Sequence, residues 1–305
     1  MNKKDFTAYL ESKNLAVSTQ SAYTKSVNYF FKYIKKEDIQ IRKPDILKYL
    51  EYMKNKKGVQ NVTRRNNLIA INHYFTFLYE NEKITENPCW NLKIRGANKK
   101  HLYKIYTPEE LIQLADNFYT IFISGFKDNN RLSETQKQMS FLSRHRNYAM
   151  LTFMLFQGLP TAELPQIKLN DINLAKAKLT LNNRTLPIQA TQMGTLIYYI
   201  NTIRPNALDF CQIETDKLFF SLSAEQYDKT FIKPLLKLTK QVKSIDRNFT
   251  NFAQTRASII THWIQTEGLR KAQYLAGHKH IHSTENYLPN DLENLIDDIN
   301  KLHPF

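Results

Sequence analysis

The feature that most constrains this chain is the spacing of its apolar residues. In STQSAYTKSVNYFFKYIKK, Tyr23, Val27, Phe30, Phe31 and Ile34 fall on one face at helical spacing. In RKPDILKYLEYMKNKK the same holds for Ile46, Tyr49, Leu50 and Met53, and in NVTRRNNLIAINHYFTFLYENEK for Leu68, Ile71, Phe75 and Leu78. Ser18 is the expected cap of the first of these helices, and Pro44 with Asp45 behind it marks the start of the second. With a short helix around Phe6–Leu10, the first ninety or so residues predict a small four-helix bundle. It closes at NPCWNLKI.

A polar, basic stretch, RGANKKHLYK, follows and is expected to be a linker. A second domain opens at YTPEELIQL, where Thr107 is the predicted cap and Pro108 a first-turn residue. DNNRLSETQKQMS, residues 128–140, is expected to be a solvated loop, and RHRNYAMLTFMLFQGL a buried helix. Strand signals cluster only at 167–189. There Leu179-Thr180-Leu181 and Arg184-Thr185-Leu186 flank Asn182-Asn183, a hairpin whose asparagines tolerate the positive φ of a tight turn. The fold class is therefore mainly α with one small sheet. The expected boundaries are 1–93, a linker at 94–105, and 106–305. An amphipathic helix at 290–302 carries Leu292, Leu295, Ile296, Ile299 and Leu302.

The charge is uneven. Of the net +15, residues 1–105 hold +12, from 21 Lys and Arg against 9 Asp and Glu. A basic third on a soluble chain fits a polyanion, most simply nucleic acid; an acidic lipid surface or a plain solvated surface are the alternatives. Lys54, Lys56, Lys57, Arg64 and Arg65 surround the start of the last bundle helix, and Arg95, Lys99 and Lys100 stand in the linker, so these are the expected phosphate contacts. Two cysteines, Cys89 and Cys211, make no disulfide framework and no zinc pair. The N-terminus lacks a signal-peptide apolar region, and the greasiest run, near Tyr148–Leu159, is too short to span a bilayer. A cytoplasmic protein without membrane contact is expected.

LAGHKHIHSTENY, residues 275–287, is the chemically densest stretch. His278, His280 and His282 alternate as on one face of a strand, but no cysteine or acidic ligand stands nearby, so a metal site is not expected. Tyr287 is either core packing or a nucleophile beside His278. Upstream, RASIITHWIQ as a helix aligns Arg256 with Ile259, Ile260 and Trp263. An arginine on an apolar face needs an anion, either an internal one such as Glu163 or a bound phosphate.

Taken together, Arg256, Leu-Ala-Gly-His278 and a tyrosine nine residues after that histidine resemble the tyrosine recombinase (phage integrase) family. STQSAY, VTRRNN, the closing NP and GLPTAELPQIKLNDI extend the resemblance over nearly the whole chain. It implies an N-terminal core-binding (SAM-like) helical domain on double-stranded DNA and a mostly helical catalytic domain with a β-hairpin. It further implies dimers and tetramers on DNA formed through an exchanged C-terminal helix, and no metal or other cofactor. In the implied reaction Tyr287 forms a 3′-phosphotyrosyl link and frees a 5′-hydroxyl, two arginines stabilise the phosphate oxygens, and a hairpin lysine protonates the leaving oxygen.

The chain departs from the pattern at three places. Pro160 stands where the first arginine is expected, Ala253 replaces the histidine before Arg256, and the Asn182-Asn183 turn carries no lysine. Arg184 is the best-placed substitute, by a swing of the hairpin; Lys176, Lys178, Arg144 and Arg146 are weaker ones. Two readings follow. One is a site-specific recombinase (integrase) of a mobile element, with catalytic Tyr287, Arg256, His278 and Arg184. The other is a non-cutting DNA-binding relative that acts as repressor, architectural subunit or partner of an active recombinase. A type IB topoisomerase is a third option.

Overall fold

The computed structural model describes residues 3–96, 103–127, 131–222 and 231–288. The chain divides into two compact units, residues 1–100 and 101–305. Among the described residues no helix is long and apolar enough to cross a membrane.

The first unit holds α1 (Lys3–Ser12), α2 (Val17–Ile34), α3 (Lys43–Asn55) and α4 (Asn61–Glu80). The stripes read from the sequence build its core. Val27, Phe30, Ile46, Tyr49, Leu50, Met53, Leu68, Ile71, Phe75 and Leu78 are all buried, with Phe6 and Leu10 of α1 between them. Tyr74 turns its ring edge to Phe6 at 5.1 Å, and its hydroxyl donates to Asp38 at 2.8 Å. Buried Asn87 ties the closing NP segment to α4, donating to Asn72 at 2.9 Å and Thr76 at 3.0 Å. The expected cap at Ser18 is corrected. Helix α2 begins at Val17 after Ala16, with no side-chain cap bond, and Ser18 lies inside the helix. Helix α3 begins at Lys43, one residue before Pro44; its first turn is fixed by Asp45, which accepts from the Arg42 backbone N–H at 3.0 Å.

The second unit runs α5 (Pro108–Tyr119), α6 (Glu134–Phe156), a three-stranded sheet, α7 (Ala190–Tyr198), α8 (Arg204–Cys211), α9 (Ile232–Ile245), α10 (Phe252–Glu267), α11 (Leu269–Ala276) and the single turn α12 (His282–Glu285). Thr107 caps α5 as expected, with Glu110 returning the bond. Residues 134–140 are helical, not loop: Ser133 and Gln136 form a capping box that starts α6 earlier than the apolar pattern shows. Its later turns are buried from Arg146 to Phe156.

The sheet is antiparallel in the order β1 (Ile172–Asn173), β2 (Lys178–Leu181), β3 (Arg184–Pro187), with Leu181 opposite Arg184 and Leu179 opposite Leu186. Neither asparagine of the β2–β3 turn takes a positive φ, so the expected left-handed turn is corrected; the left-handed residue here is Ala177, between β1 and β2. Side chains alternate across a strand, so buried Leu186 carries Arg184 to the same inner face. Gln157 of α6 donates to the Pro187 carbonyl at 2.9 Å and anchors the end of β3.

Candidate active site

Four side chains from three parts of the second unit converge. Arg256 sits one turn into α10, which Asn251 caps by accepting from the Ala253 N–H at 2.9 Å. Its Nη1 donates to the Gly158 carbonyl at 2.6 Å and its Nη2 to the Ala276 carbonyl at 2.8 Å. The same Nη2 lies 3.2 Å from His278 Nε2, and the Tyr287 hydroxyl is close enough to share a side-chain hydrogen bond with the guanidinium. Burial pulls the Arg256 pKa below the usual arginine value.

Arg184 arrives from β3 with its side chain only 4% exposed, and its Nη2 pairs with Glu163 Oε2 at 2.5 Å. The expected partner of Arg256, Glu163, is thus taken by Arg184. No hairpin swing is involved: Arg184 is already packed against Gly277, at the end of α11, and Arg256 and His278 both feel its charge. Its Nε is buried and makes no hydrogen bond. A buried guanidinium N–H without an acceptor is costly, and two guanidinium groups facing one carboxylate leave a surplus positive charge. The arrangement fits an incoming anion.

His278 sits just after the α11 terminus. Its Nδ1 is 2.9 Å from Thr284 Oγ1, and its ring stacks on Tyr287 with centroids 5.9 Å apart and an 11° interplanar angle. Burial first, then Arg256 and Arg184, push its pKa down to about 4. The folded protein therefore holds His278 neutral, whereas the unfolded chain protonates it near the ordinary value of about 6.5. This contribution to stability is complete above pH 6.5 and is lost as pH falls towards 4. We expect an NMR titration midpoint near 4 for His278, and His278→Gln should flatten the fall in melting temperature across that window.

The other candidates are placed elsewhere. Pro160 and Ala253 contribute no polar side chain, and Lys176 and Lys178 are exposed. Arg146 is buried against Asn147 and the Phe220 carbonyl, and Arg144 lies over the Phe126 ring at 3.5 Å. His280 and His282 are exposed. Among the described residues no group of three or more His, Cys, Asp or Glu is placed to hold a metal ion.

In the first unit Lys54, Lys56, Lys57 and Arg95 are exposed. Arg65 and Arg95 line a groove of about 720 Å³ together with Leu68, Ile69 and Trp90. Arg64 is largely structural: its Nε donates to the Leu50 carbonyl and its Nη1 to Asn61, each at 3.0 Å, bracing α3 against α4. Lys99, Lys100 and the helix expected at 290–302 lie outside the described residues.

Sequence reasoning passed over Glu163 as the partner of Arg184, and passed over Thr284. The signal for Thr284 was its position one helical turn before Tyr287. Strand alternation from Leu186 would have turned Arg184 inward.

A helical bundle followed by a mostly helical unit, with arginines, a histidine and a tyrosine gathered beside a small antiparallel sheet, defines the architecture of a tyrosine recombinase. The family model for the phage integrase N-terminal SAM-like domain matches residues 3–84, and that for the phage integrase family matches residues 126–293. The chain belongs to the phage integrase family of tyrosine recombinases.

It is 23% identical to the TnP I resolvase of Bacillus thuringiensis over 95% of this chain and 96% of that protein. It is 24% identical to the tyrosine recombinase XerC of Pelotomaculum thermopropionicum, over 98% and 97% respectively. Among solved structures it shares its fold with the XerH recombinase bound to palindromic difH substrate in a post-cleavage complex. That match has a TM-score of 0.64 and 16% identity, and covers 96% of this chain and 82% of the other. A lambda integrase dimer bound to a COC' core site matches with a TM-score of 0.60 at 12% identity, over 92% of each chain.

Proposed function

We propose that this protein is a site-specific DNA recombinase of a mobile element that cuts DNA through Tyr287. The observation that carries this is the buried Arg184 guanidinium, with an unsatisfied Nε, beside Arg256, His278 and Tyr287. A scissile phosphodiester is the anion such a cradle takes. Arg256 and Arg184 draw charge onto its non-bridging oxygens. The Tyr287 oxygen attacks phosphorus, the bond to the 5′ oxygen breaks, and a 3′-phosphotyrosyl link remains. The bond energy is conserved in that link, so religation needs no nucleotide. The hairpin tip holds no lysine, so the leaving oxygen takes its proton from water.

In this reading residues 1–93 form the core-binding domain, 94–105 the linker, and 106–305 the catalytic-type domain. Lys54, Lys56, Lys57, Arg65 and Arg95, with Lys99 and Lys100, hold the DNA backbone. The chain works in the cytoplasm as a homo-oligomer joined by the 290–302 helix, alone or with a second recombinase. The DNA-bound XerH and lambda integrase structures support the DNA partner.

A nicked suicide duplex carrying the site that the protein selects from random DNA tests the proposal. We expect a detergent-resistant covalent adduct from the native chain and none from Tyr287→Phe. No adduct on that site, alone or with a partner recombinase, would leave the second reading, a DNA-binding relative that does not cut. The loss of an arginine at Pro160 and the prior engagement of Arg184 by Glu163 are the features that favour that second reading.

A further inference from the structure

The contacts around His278 point to which of its nitrogens carries the proton. Arginine has donors and no acceptor, so the 3.2 Å contact of Arg256 Nη2 with His278 Nε2 places the lone pair on Nε2. In the neutral ring the proton is then on Nδ1, which donates to Thr284 Oγ1 at 2.9 Å. Thr284 is fully buried. Its carbonyl accepts from the Tyr287 N–H at 3.0 Å, so a single residue fixes both the imidazole and the backbone of the tyrosine stacked on it. Ala253, one turn before Arg256, offers no base of its own.

We propose that Thr284 is a positioning residue that fixes the tautomer of His278, so that the imidazole presents its Nε2 lone pair to the Tyr287 hydroxyl. Arg256 masks that lone pair until a phosphate draws the guanidinium away. The chemical consequence rests on the cleavage reading above; the tautomer and the masking are properties of the free protein.

When phosphate oxygens take the Arg256 N–H groups, Nε2 is released. It accepts the Tyr287 proton as the tyrosyl oxygen bonds to phosphorus and the bond to the 5′ oxygen breaks. The 5′ oxygen takes a proton from water, and the imidazolium returns its extra proton to solvent, so protons and electrons balance. The charged groups facing the ring are Arg256 on α10 and Arg184 on β3, the latter paired with Glu163, while Tyr287 covers one ring face. Both cations disfavour a protonated ring in the free site, in line with its pKa of about 4. A catalytic histidine held in the wrong tautomer loses up to about 10⁴ in rate in a Ser-His-Asp triad, so the effect of the device is measurable.

The test uses the full chain, ¹⁵N-labelled, with ¹H–¹⁵N correlation of the imidazole nitrogens. The native protein and Thr284→Ser should show the Nδ1–H form of His278, and Thr284→Val a mixture of both tautomers. Orthovanadate, a phosphate mimic, should move the Nε2 resonance of the native protein. On the suicide duplex, Thr284→Val should cut about tenfold or more slowly with unchanged DNA affinity, and Thr284→Ser should restore the rate.

An Nε2–H form in the native protein overturns the tautomer assignment, and this measurement needs no variant to fold. An Nε2 resonance unmoved at the highest vanadate concentration overturns the masking. A Thr284→Val protein that mixes tautomers yet cuts at the native rate overturns the base assignment. Should the native chain show the Nδ1–H form and form no adduct, the cleavage reading falls and the positioning by Thr284 stands.

Discussion

On the proposed cleavage mechanism, Arg184→Ala should lower the single-turnover rate of strand cleavage by about 10²–10³, the usual effect of removing one preorganised donor from a developing oxyanion. The variant also breaks the pair with Glu163. Removing one partner of a buried pair is strongly destabilising when the other charge stays buried. Glu163 is 31% exposed, so its carboxylate regains water, and the loss of stability should be about 1–3 kcal/mol. Two comparisons separate chemistry from folding. Arg184→Lys keeps the charge without the planar fork and should recover only part of the rate. A duplex with a methylphosphonate at the scissile position has no charge there to neutralise, so the native and Arg184→Ala proteins should cut it at similar rates. An equal deficit on both substrates would mean that Arg184 acts through the fold alone.

Gly277→Ala should approach the same loss by a different route. Gly277 ends α11 in the left-handed region at φ +69°, and a Cβ there would meet Arg184 Nη1 and Cζ at distances real Cβ atoms essentially never show, and Nε in a tight contact at 3.2 Å. Arg184 cannot yield cheaply, because Glu163 and the buried face of β3 hold it. The alanine therefore adds a displaced guanidinium to the strain of about 1–2 kcal/mol that an L residue bears at positive φ. Gly58 is the natural control: its φ is +61° and nothing lies within 4 Å of its would-be Cβ. Gly58→Ala should show only the backbone strain, as a small drop in melting temperature with cleavage unchanged. If Gly277→Ala cuts as fast as Gly58→Ala, Arg184 does not need its present seat.

Much of the bundle was legible because period and burial agree. Every residue of the α3 stripe and of the α4 stripe is buried. The cap at Thr107 was legible for the same local reason: threonine, proline and glutamate at fixed offsets have one low-energy use. The start of α6 was not. Glu134, Thr135, Gln136, Gln138 and Met139 are exposed, so no apolar stripe announces the helix, and only the Ser133–Gln136 box marks it. Within the site, Arg256, His278 and Tyr287 were visible as a spacing. The choice between Arg184 and Arg256 as the partner of Glu163 was only half legible: strand alternation turns Arg184 inward, but its seat against Gly277 joins positions 93 residues apart.

The β2–β3 hairpin has four-residue strands and a two-residue tip, and the Thr185 N–H donates to the Tyr274 hydroxyl at 3.0 Å, clipping β3 to α11. A long hairpin that must fold over its substrate is a checkpoint: the enzyme is armed only after the loop has closed. This hairpin has no such travel, and its arginine is seated before any DNA arrives. On the proposed mechanism, restraint then falls to the Arg256–His278 contact, which the substrate itself must remove. Such an enzyme would be armed in advance and would depend for its restraint on choosing the right DNA before the phosphate reaches Arg256.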